Sequence, residues 1–412
     1  MNLKYLNARY ALCNIGFMLL VSGSLGFAYN YLSQSGFESG TIGTVMSIVS
    51  LLGVFIGPAA GDIVDRSDKI TQKTFITGSM VICAALSAVL LALPKGSFLI
   101  LPVIIIAFAA STVGMPLLNG MAFIYEKSGG VINYGLCRGL GSAAYAVGSN
   151  IVGRLWGVFG RNTLPIWVIL GAVLTAVAIN LMPNAPKQAA PEKRGKKDAK
   201  TEESISVLQF FGKYPKTITV ILALVLLYFC HNVFNTYLGA VLGDIMKGSS
   251  DEQIAAVQGN ALFIQAMVEL PTMFGFALIL KKLSVNQIMA ISAIFYSLKH
   301  IVLLLASNIP MFYAGMILQM FSYAALTPAI VYYANEQVSE EDRNKGQAVF
   351  MTANTVGGLL ASFVGGWIFQ LLSVRAGLTV SVVASVAGTI LMVLGTGLSG
   401  KKGSTVTVRK KR

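Results

Sequence analysis

Four charged side chains lie within stretches that otherwise read as membrane-buried helix: Glu126, Arg138, Glu269 and Lys299. A charge at the centre of a bilayer costs about 3 kcal/mol or more unless it faces a cavity or finds a partner. Two acids and two bases in one such chain therefore predict a polar site at mid-membrane depth. This layout is typical of a solute transporter.

Membrane-spanning helices must position these charges. The chain has 412 residues, of which 55% are hydrophobic and 12% charged, whereas a soluble protein carries about 25% charged residues. A span needs about 20 apolar residues. Twelve segments satisfy this length: 10–32, 40–63, 70–93, 98–126, 133–158, 163–183, 216–243, 254–280, 285–306, 309–335, 346–372 and 377–398. We therefore expect an all-α integral membrane protein with twelve transmembrane helices.

Lysine and arginine are distributed unevenly between the two sides of the membrane. When the loops are assigned alternately, one side holds most of them, and the other side holds only Lys95, Arg154, Arg161, Lys247 and Arg375. By the positive-inside rule both termini are cytoplasmic, which requires an even number of spans. The net charge of +14 thus reflects topology. We expect the basic tail at 401–412 to touch anionic lipid headgroups, and we expect no nucleic-acid partner, because no folded module would carry one.

One long polar interruption divides the chain. Residues 185–204 are rich in Pro, Lys and Glu and lack apolar residues other than Ala, so they favour a disordered or loosely helical linker. Six spans precede it and six follow. The sequence predicts an N-terminal bundle at 1–184, a cytoplasmic linker at 185–207, a C-terminal bundle at 208–400 and a tail at 401–412. Two pseudo-symmetric bundles of this kind place a solute site at their interface.

Motifs for catalysis and metal binding are absent from the sequence. All four cysteines fall within spans at spacings that fit neither a metal site nor a disulfide framework. Neither H-E-x-x-H nor G-x-S-x-G occurs. We therefore expect no enzyme activity, no metal and no cofactor, and an ion gradient as the energy source. A membrane scaffold remains an alternative, although it would not need charges at mid-membrane depth.

The loop after the second span carries the sequence GPAAGDIVDRSDK. Small residues including Gly61 allow close helix contact, and Asp65 with Arg66 can form ion pairs to neighbouring spans that hold in one conformation only. The segment resembles the G-x-x-x-D-R-x-G-R-K loop of the major facilitator superfamily, in part, since Ser67 and Asp68 stand where that pattern has small and basic residues. An ordinary polar turn is the alternative.

The fourth and fifth spans carry a second pattern. Glu126 lies at one helix end, Arg138 lies in the next helix, and Tyr145 follows Arg138 by seven residues, about 10 Å along the same face. A guanidinium, a carboxylate and an aromatic ring together suit the hydroxyl edge and the C–H face of a sugar. These residues resemble the oligosaccharide:proton symporters of the superfamily, the lactose permease-like family, which usually have Trp where Tyr145 stands.

The resemblance implies roles for five residues. Glu126 and Arg138 would bind sugar hydroxyls, and Tyr145 would stack on the ring. On the eighth span, Glu269 would link solute binding to proton movement, and Thr272 would contact the solute. It also implies a monomer in the cell membrane. For Glu269, a simple pairing with a neighbouring helix is the alternative.

The tenth span departs from that family. Gln319 and Ser322 stand where it has a His and a proton-releasing Glu, and neither side chain titrates at physiological pH. Gln319 is expected to contact the solute. Coupling is then expected to pass through Glu269, with Lys299 as a conformation-dependent partner and His231 as a second candidate. For Lys299 a snorkelling side chain is the alternative, and for His231 a polar helix contact.

The expected function is secondary active transport of a small polar solute by alternating access. A sugar or oligosaccharide carried by proton symport is the main interpretation, and sodium coupling and uniport stay open. A nucleoside or aromatic-acid permease is the alternative, because the non-titratable tenth span and Tyr145 leave room for it. Drug export is a third possibility, although its pockets tend to be more apolar.

Overall fold

Helices make up all of the regular structure that the computed structural model describes, which covers residues 5–67, 70–127, 129–184 and 206–397. The polar stretch at 185–204, which forms most of the predicted linker at 185–207, and the basic tail at 401–412 lie outside these ranges. The α-helices are α1 Leu6–Ser24, α2 Ala28–Gln34, α3 Ser39–Arg66, α4 Gln72–Ala92, α5 Ile100–Thr112, α6 Gly114–Lys127, α7 Tyr134–Phe159, α8 Thr163–Leu181, α9 Val207–Lys213, α10 Lys216–Thr236, α11 Leu238–Ile245, α12 Asp251–Ile279, α13 Val285–Leu305, α14 Ile309–Ile317, α15 Tyr323–Gln337, α16 Arg343–Leu371 and α17 Val374–Gly395.

The number of membrane crossings follows from helix length. Eleven stretches of the described chain are long and apolar enough to cross a bilayer. One of them, Tyr134–Leu181, has 48 residues, about 72 Å of helix, which is more than twice the ~30 Å thickness of a hydrocarbon core. A 3₁₀ turn at Gly160–Asn162 separates α7 from α8 inside it. The stretch is therefore two crossings, and the prediction of twelve transmembrane helices is confirmed.

Every third crossing is interrupted. The first breaks between α1 and α2, the fourth at Val113 between α5 and α6, the seventh at Tyr237 between α10 and α11, and the tenth between α14 and α15. Over the described residues the other eight crossings are continuous. This period of three indicates four three-helix repeats, as in transporters built from nested repeats. The sequence marks Pro116 and Pro271 as candidate bends; Pro116 lies just after the break at Val113, whereas α12 continues through Pro271.

The chain divides into two compact units. Among the described residues, one unit comprises those within Met1–Lys200, Asn235–Ala266 and Ser362–Val374, and the other comprises those within Thr201–Phe234, Met267–Ala361 and Arg375–Arg412. These units do not coincide with the predicted six-span halves, whose boundaries at 184 and 208 stay a prediction.

Close helix contact at glycines holds the first unit together. α1 packs against both α7 and α8. A Cβ atom added to Gly171 on α8 would lie 2.6 Å from the Cα of Leu20, and one added to Gly16 on α1 would lie 2.9 Å from the nitrogen of Thr175. The obstructing atoms belong to backbone and cannot rotate away. In a bilayer the hydrophobic effect does not drive helices together. Close contacts at small residues hold them together instead, through van der Waals packing.

In the second unit an ion pair holds the short helix α9 in place. α9 precedes the seventh crossing, and Lys213 at its end pairs with Asp342 in the loop before α16 (Nζ to Oδ2, 2.6 Å). The Tyr214 hydroxyl donates a second hydrogen bond to the same oxygen, also at 2.6 Å. Lys213 and Tyr214 therefore lower the pKa of Asp342 below its ordinary value, and the carboxylate raises the pKa of Lys213. The Asp342 carboxylate therefore holds the end of α9 against the rest of the second unit.

Substitution of Gly171 by Ala should destabilise the first unit. The new methyl group meets backbone of α1, and overpacking of this kind costs about 1–3 kcal/mol. We expect the apparent melting temperature of the detergent-purified protein to fall by several degrees. Gly57→Ala is the matched control, because a Cβ there meets nothing within 4 Å. Equal melting temperatures for the two variants would contradict the packing described.

Replacement of Asp342 by Asn should loosen α9. The substitution removes the charge that Lys213 and Tyr214 share, so hydrogen–deuterium exchange of the amides at 207–214 should become several-fold faster at pH 7. In the wild type the attachment is fully present above about pH 4 and weakens only as the pH falls through the lowered pKa of Asp342. Glu340→Asn in the same loop is the control, since Glu340 is exposed and its one ion pair among the described residues is with Arg343, at 3.5 Å. Unchanged exchange in the Asp342 variant would show that other contacts hold α9.

Candidate functional site

Three polar side chains from three elements meet within the second unit. The ammonium of Lys299, on α13, donates to Oε1 of Gln319 at 2.5 Å. The amide nitrogen of Gln319 donates in turn to Oε1 of Glu269, on α12, at 2.7 Å. Lys299 and Gln319 are fully buried. The three residues form a continuous hydrogen-bonded chain, which we call the 269–319–299 bridge.

The orientation of the Gln319 amide follows from chemistry. An ammonium has only donors, so it requires the carbonyl end of the amide, and the NH₂ end is left to face the carboxylate of Glu269. A neutral group thus stands between a cation and an anion. Within the described residues no ion pair joins Lys299 directly to Glu269. Gln319 was predicted to contact the solute; in this structure Lys299 and Glu269 occupy both ends of its amide.

A break in the tenth crossing positions Gln319. α14 ends at Ile317, a 3₁₀ turn covers Leu318–Met320, and α15 begins at Tyr323. Ser322 has φ −97° and ψ −96°, outside the helical region, and its hydroxyl donates to the carbonyl of Leu318 at 3.0 Å. The same carbonyl also accepts from the backbone N–H groups of Phe321 and Ser322, at 3.2 Å each. Ser322, which replaces an acid of the resembled family, therefore has a structural role at this break.

His231 lies in an aromatic cluster next to the bridge. Its ring stacks on Tyr323, with centroids 4.8 Å apart and planes at 17°, and its centroid lies 5.7 Å from that of Tyr296 and 6.1 Å from that of His300. The Nδ1–H group of His300 donates to the carbonyl of Tyr296 at 2.7 Å. This bond lies within α13 and is consistent with a packing role for His300. His231 is buried. Its predicted part in coupling stays a prediction.

Arg138 and Tyr145 share α7 in the first unit. Arg138 is partly buried, four residues from the start of the helix, and its Nη1 atom is buried without a hydrogen-bond partner. Tyr145 is partly buried two turns further on. Glu126 lies in the last turn of α6 and is exposed. Since α6 ends where α7 begins, Glu126 and Arg138 lie near that shared end of their helices, so mid-membrane depth is wrong for Glu126.

A polar and aromatic contact between α6 and α7 was missed by sequence reasoning. The hydroxyl of Tyr134 donates to Oδ1 of Asn119 at 3.1 Å, and the ring of Tyr134 stacks on Phe123, with centroids 6.4 Å apart. Asn119, Phe123 and Glu126 are spaced by four and three residues, so they share one face of α6. The spacing was visible in the sequence, but the pairing across the intervening turn required the fold.

On α12 four polar residues recur at spacings of seven, four and three residues and have unequal surroundings: Gln258, Gln265, Glu269 and Thr272. Gln258 donates to the carbonyl of Gly26 at 2.6 Å, so it ties the helix to its neighbour. One turn before Glu269, the Oε1 atom of Gln265 is buried without a hydrogen-bond partner. Thr272 is buried one turn after Glu269. A buried amide oxygen without a donor is uncommon and calls for an explanation.

The predicted gating loop behaves differently from expectation. Arg66 pairs with Asp62 on its own helix (Nε to Oδ1, 2.7 Å), and both side chains are exposed. The side chain of Asp65 lies outside the described part of the chain. A Cβ added to Gly61 would meet nothing within 4 Å, so the expected close helix contact is wrong there in this structure. The i, i+4 spacing brings Asp62 within reach of Arg66 without any partner span.

Comparison with known proteins decides the family. Residues 15–377 match the model of the MFS_1 like family. The chain belongs to this family. It is a multi-pass secondary transporter of the major facilitator superfamily, a family of transporters and not of enzymes. No curated protein matches the sequence.

Solved structures of the same fold include transporters of several solutes. A mutant of the nucleoside transporter NupG is 15% identical and superposes with a TM-score of 0.79, over 95% of this chain and 99% of that one. A second NupG structure is 16% identical with a TM-score of 0.76, over 98% and 100%. The peptide transporter POT in complex with alafosfalin is 12% identical with a TM-score of 0.71, over 96% and 94%. These identities establish the fold alone, and they do not single out the lactose permease-like branch.

Membership of a transporter family limits the functions that the candidate site can have. A solute transporter needs groups that bind its cargo, and one that is coupled to protons also needs groups whose charge changes during the transport cycle. Arg138, Tyr145 and Gln265 are candidate binding groups in the first unit, and the 269–319–299 bridge contains the charged groups Glu269 and Lys299 in the second. Among the described residues no three His, Cys, Asp or Glu side chains come together as a metal site.

Loss of one charge of the bridge should be worse than loss of both. Lys299→Met leaves the Glu269 carboxylate buried without its cation, and breaking a buried pair typically costs about 3–5 kcal/mol. The double variant Lys299→Met/Glu269→Gln removes the uncompensated charge, so its apparent melting temperature should exceed that of Lys299→Met alone. Lys247→Met is the control, because its pair with Asp244 (3.3 Å) is exposed on the lysine side. Strictly additive losses in the double variant would contradict an energetic link through Gln319.

Proposed function

We propose that this protein carries a nucleoside or a chemically similar solute across the membrane by proton symport. Two buried atoms without partners carry the proposal: Nη1 of Arg138, a donor, and Oε1 of Gln265, an acceptor. Both belong to the first compact unit. Buried polar groups in native proteins are nearly always hydrogen-bonded, so a solute that both accepts and donates hydrogen bonds would satisfy them. Glu126 and Thr272 remain predicted solute contacts.

The types of side chain favour a nucleoside over a simple sugar. A carboxamide such as Gln265 matches the adjacent donor and acceptor groups on the edge of a nucleobase. Tyr145 offers an aromatic face on which a base can stack, as bases do in other protein sites. Arg138 offers a forked set of donors for carbonyl or hydroxyl oxygens. NupG, which shares the fold over nearly the whole chain, is a nucleoside transporter.

A sugar or oligosaccharide is the second candidate. The order of Glu126, Arg138 and Tyr145 along the chain resembles that of oligosaccharide:proton symporters, and a guanidinium with a carboxylate also binds paired hydroxyl groups. Phenol in place of indole gives a smaller platform for a sugar ring. The two candidates therefore differ in whether the solute presents a flat heteroaromatic ring.

Proton symport is proposed through Glu269. Its carboxylate is partly buried, is bonded to a neutral amide and stands apart from Lys299. Such a group can bind a proton in one conformation and release it in another, provided that its neighbours change. The proton would travel with the solute, down its electrochemical gradient.

Counterflow in proteoliposomes tests the solute class. Vesicles loaded with unlabelled solute should take up labelled uridine, whereas labelled lactose and a labelled dipeptide should exchange at least tenfold more slowly. The assay needs no ion gradient, so it separates solute recognition from coupling. Exchange of lactose alone would establish the second candidate, and exchange of the dipeptide alone would contradict both.

Arg138→Gln should raise the half-saturating uridine concentration by about 10- to 100-fold, since a hydrogen bond to a charged group is worth about 1.5–3 kcal/mol. Arg154→Gln is the matched control on the same helix, because Arg154 is exposed and its Nε bonds only to Asn150 at 3.0 Å among the contacts described. Equal half-saturation in the two variants would remove Arg138 from the solute site.

A further inference from the structure

The 269–319–299 bridge has a feature that solute binding does not explain. Gln319 is fully buried, and two ionisable residues on two other helices occupy its amide. It therefore has no exposed surface to offer a solute in this conformation. An uncharged residue that links a buried acid to a buried base has another use in a protein that moves protons.

The amide sets how strongly the two charges attract one another. Coulomb energy falls with separation, so a carboxylate in direct contact with Lys299 would be held as an anion through the whole cycle. With Gln319 between them, the charges are linked by two charge-assisted hydrogen bonds but stay apart. By donating to Glu269, the Gln319 amide stabilises the anionic form of that carboxylate. A partly buried carboxylate that loses its donor is costly, and binding a proton removes that cost.

The location of Gln319 makes this link sensitive to conformation. The residue lies in the 3₁₀ turn that breaks the tenth crossing, and a 3₁₀ stretch within a helix often marks a hinge. Glu269 and Lys299 lie on α12 and α13, which are continuous at those positions. Bending at the break would therefore displace the amide from both partners together, because the two bonds share one side chain.

The titratable groups around the bridge come from several elements. α13 contributes Tyr296 and His300 beside Lys299, α10 contributes Cys230 and His231, and α15 contributes Tyr323. His300 is already engaged with the Tyr296 carbonyl. The hydrogen bonds described for the Gln319 amide join it to Lys299 and to Glu269.

We infer that Gln319 is the positioning residue for coupling: the bend of the tenth crossing makes or breaks the 269–319–299 bridge and so sets when Glu269 holds a proton. With the bridge made, Glu269 is an anion balanced by Lys299 through the amide. With the bridge broken, the Glu269 carboxylate takes one proton from the aqueous side to which it is open. That proton leaves when the amide returns. The inference rests on the proposed proton symport.

Gln319→Asn tests the inference, because the side chain keeps its amide but is one methylene too short to span both partners. Wild type and variant are reconstituted and assayed with labelled uridine and, in parallel, labelled lactose. Counterflow of the accepted solute should stay within threefold of wild type. Accumulation driven by an imposed proton gradient should fall at least tenfold, and alkalinisation of the outer medium on solute addition should be lost. A merely structural role would lower counterflow and accumulation together.

Two further variants complete the design. Met320→Leu, in the same turn, is the matched control and should leave counterflow and accumulation unchanged. If Gln319→Asn does not yield a monodisperse protein, Gln319→Met keeps the length and volume while it removes both hydrogen bonds, and the same split between exchange and accumulation is expected.

The outcomes distinguish a failure of the coupling role of Gln319 from a failure of the proposed transport function. A Gln319 variant that concentrates solute as well as wild type does would overturn the inference, and so would one that loses exchange to the same extent as accumulation. Wild type that exchanges a solute without concentrating it under a proton gradient would overturn the inference and leave transport standing. Wild type that exchanges neither solute would remove the proposed function as well.

Discussion

A lysine ammonium without access to water is the constraint on which the second compact unit depends. Lys299 is fully buried on α13, and an unpaired charge in such surroundings is among the most costly features that a protein can contain. Its partner is the carbonyl end of Gln319, whose other end must then face an acceptor, Glu269. One charge thus fixes the orientation of an amide and the relative placement of three elements.

The helix breaks make this placement possible. A continuous helix presents its side chains at fixed spacings, whereas the 3₁₀ turn at Leu318–Met320 redirects the chain and places Gln319 against α13. At this turn the Leu318 carbonyl accepts from the backbone N–H groups of Phe321 and Ser322 and from the Ser322 hydroxyl. The recurrence of breaks at every third crossing shows that the interruption belongs to the repeat and is not an accident of one sequence. Where a break carries a polar side chain, the repeat can serve a cycle of two conformations.

Hydrophobicity and charge predicted the spans well but predicted contacts poorly. All twelve crossings follow from apolar length, and loop charge required an even number. Arg66, however, was expected to reach a neighbouring span and pairs with Asp62 one turn away. Glu126 lies exposed in the last turn of α6, as the end of the predicted span at 98–126 implied, and not at the mid-membrane depth that its charge suggested. The sequence did not predict the contact of Tyr134 with Asn119 and Phe123, because that contact joins two helices.

The sequence by itself determined the class of the protein, the number of its spans and the residues whose charges had to be compensated. Those properties depend on composition along one helix at a time, and the penalty for a buried charge is the same wherever its partner comes from. The tertiary structure decided which partner each charge has. The sequence assigned Gln319 to the solute, and only the approach of α12, α13 and the broken tenth crossing placed its amide between Glu269 and Lys299. Hydrogen bonds form between atoms about 3 Å apart, and no spacing along the chain specifies that distance between separate helices.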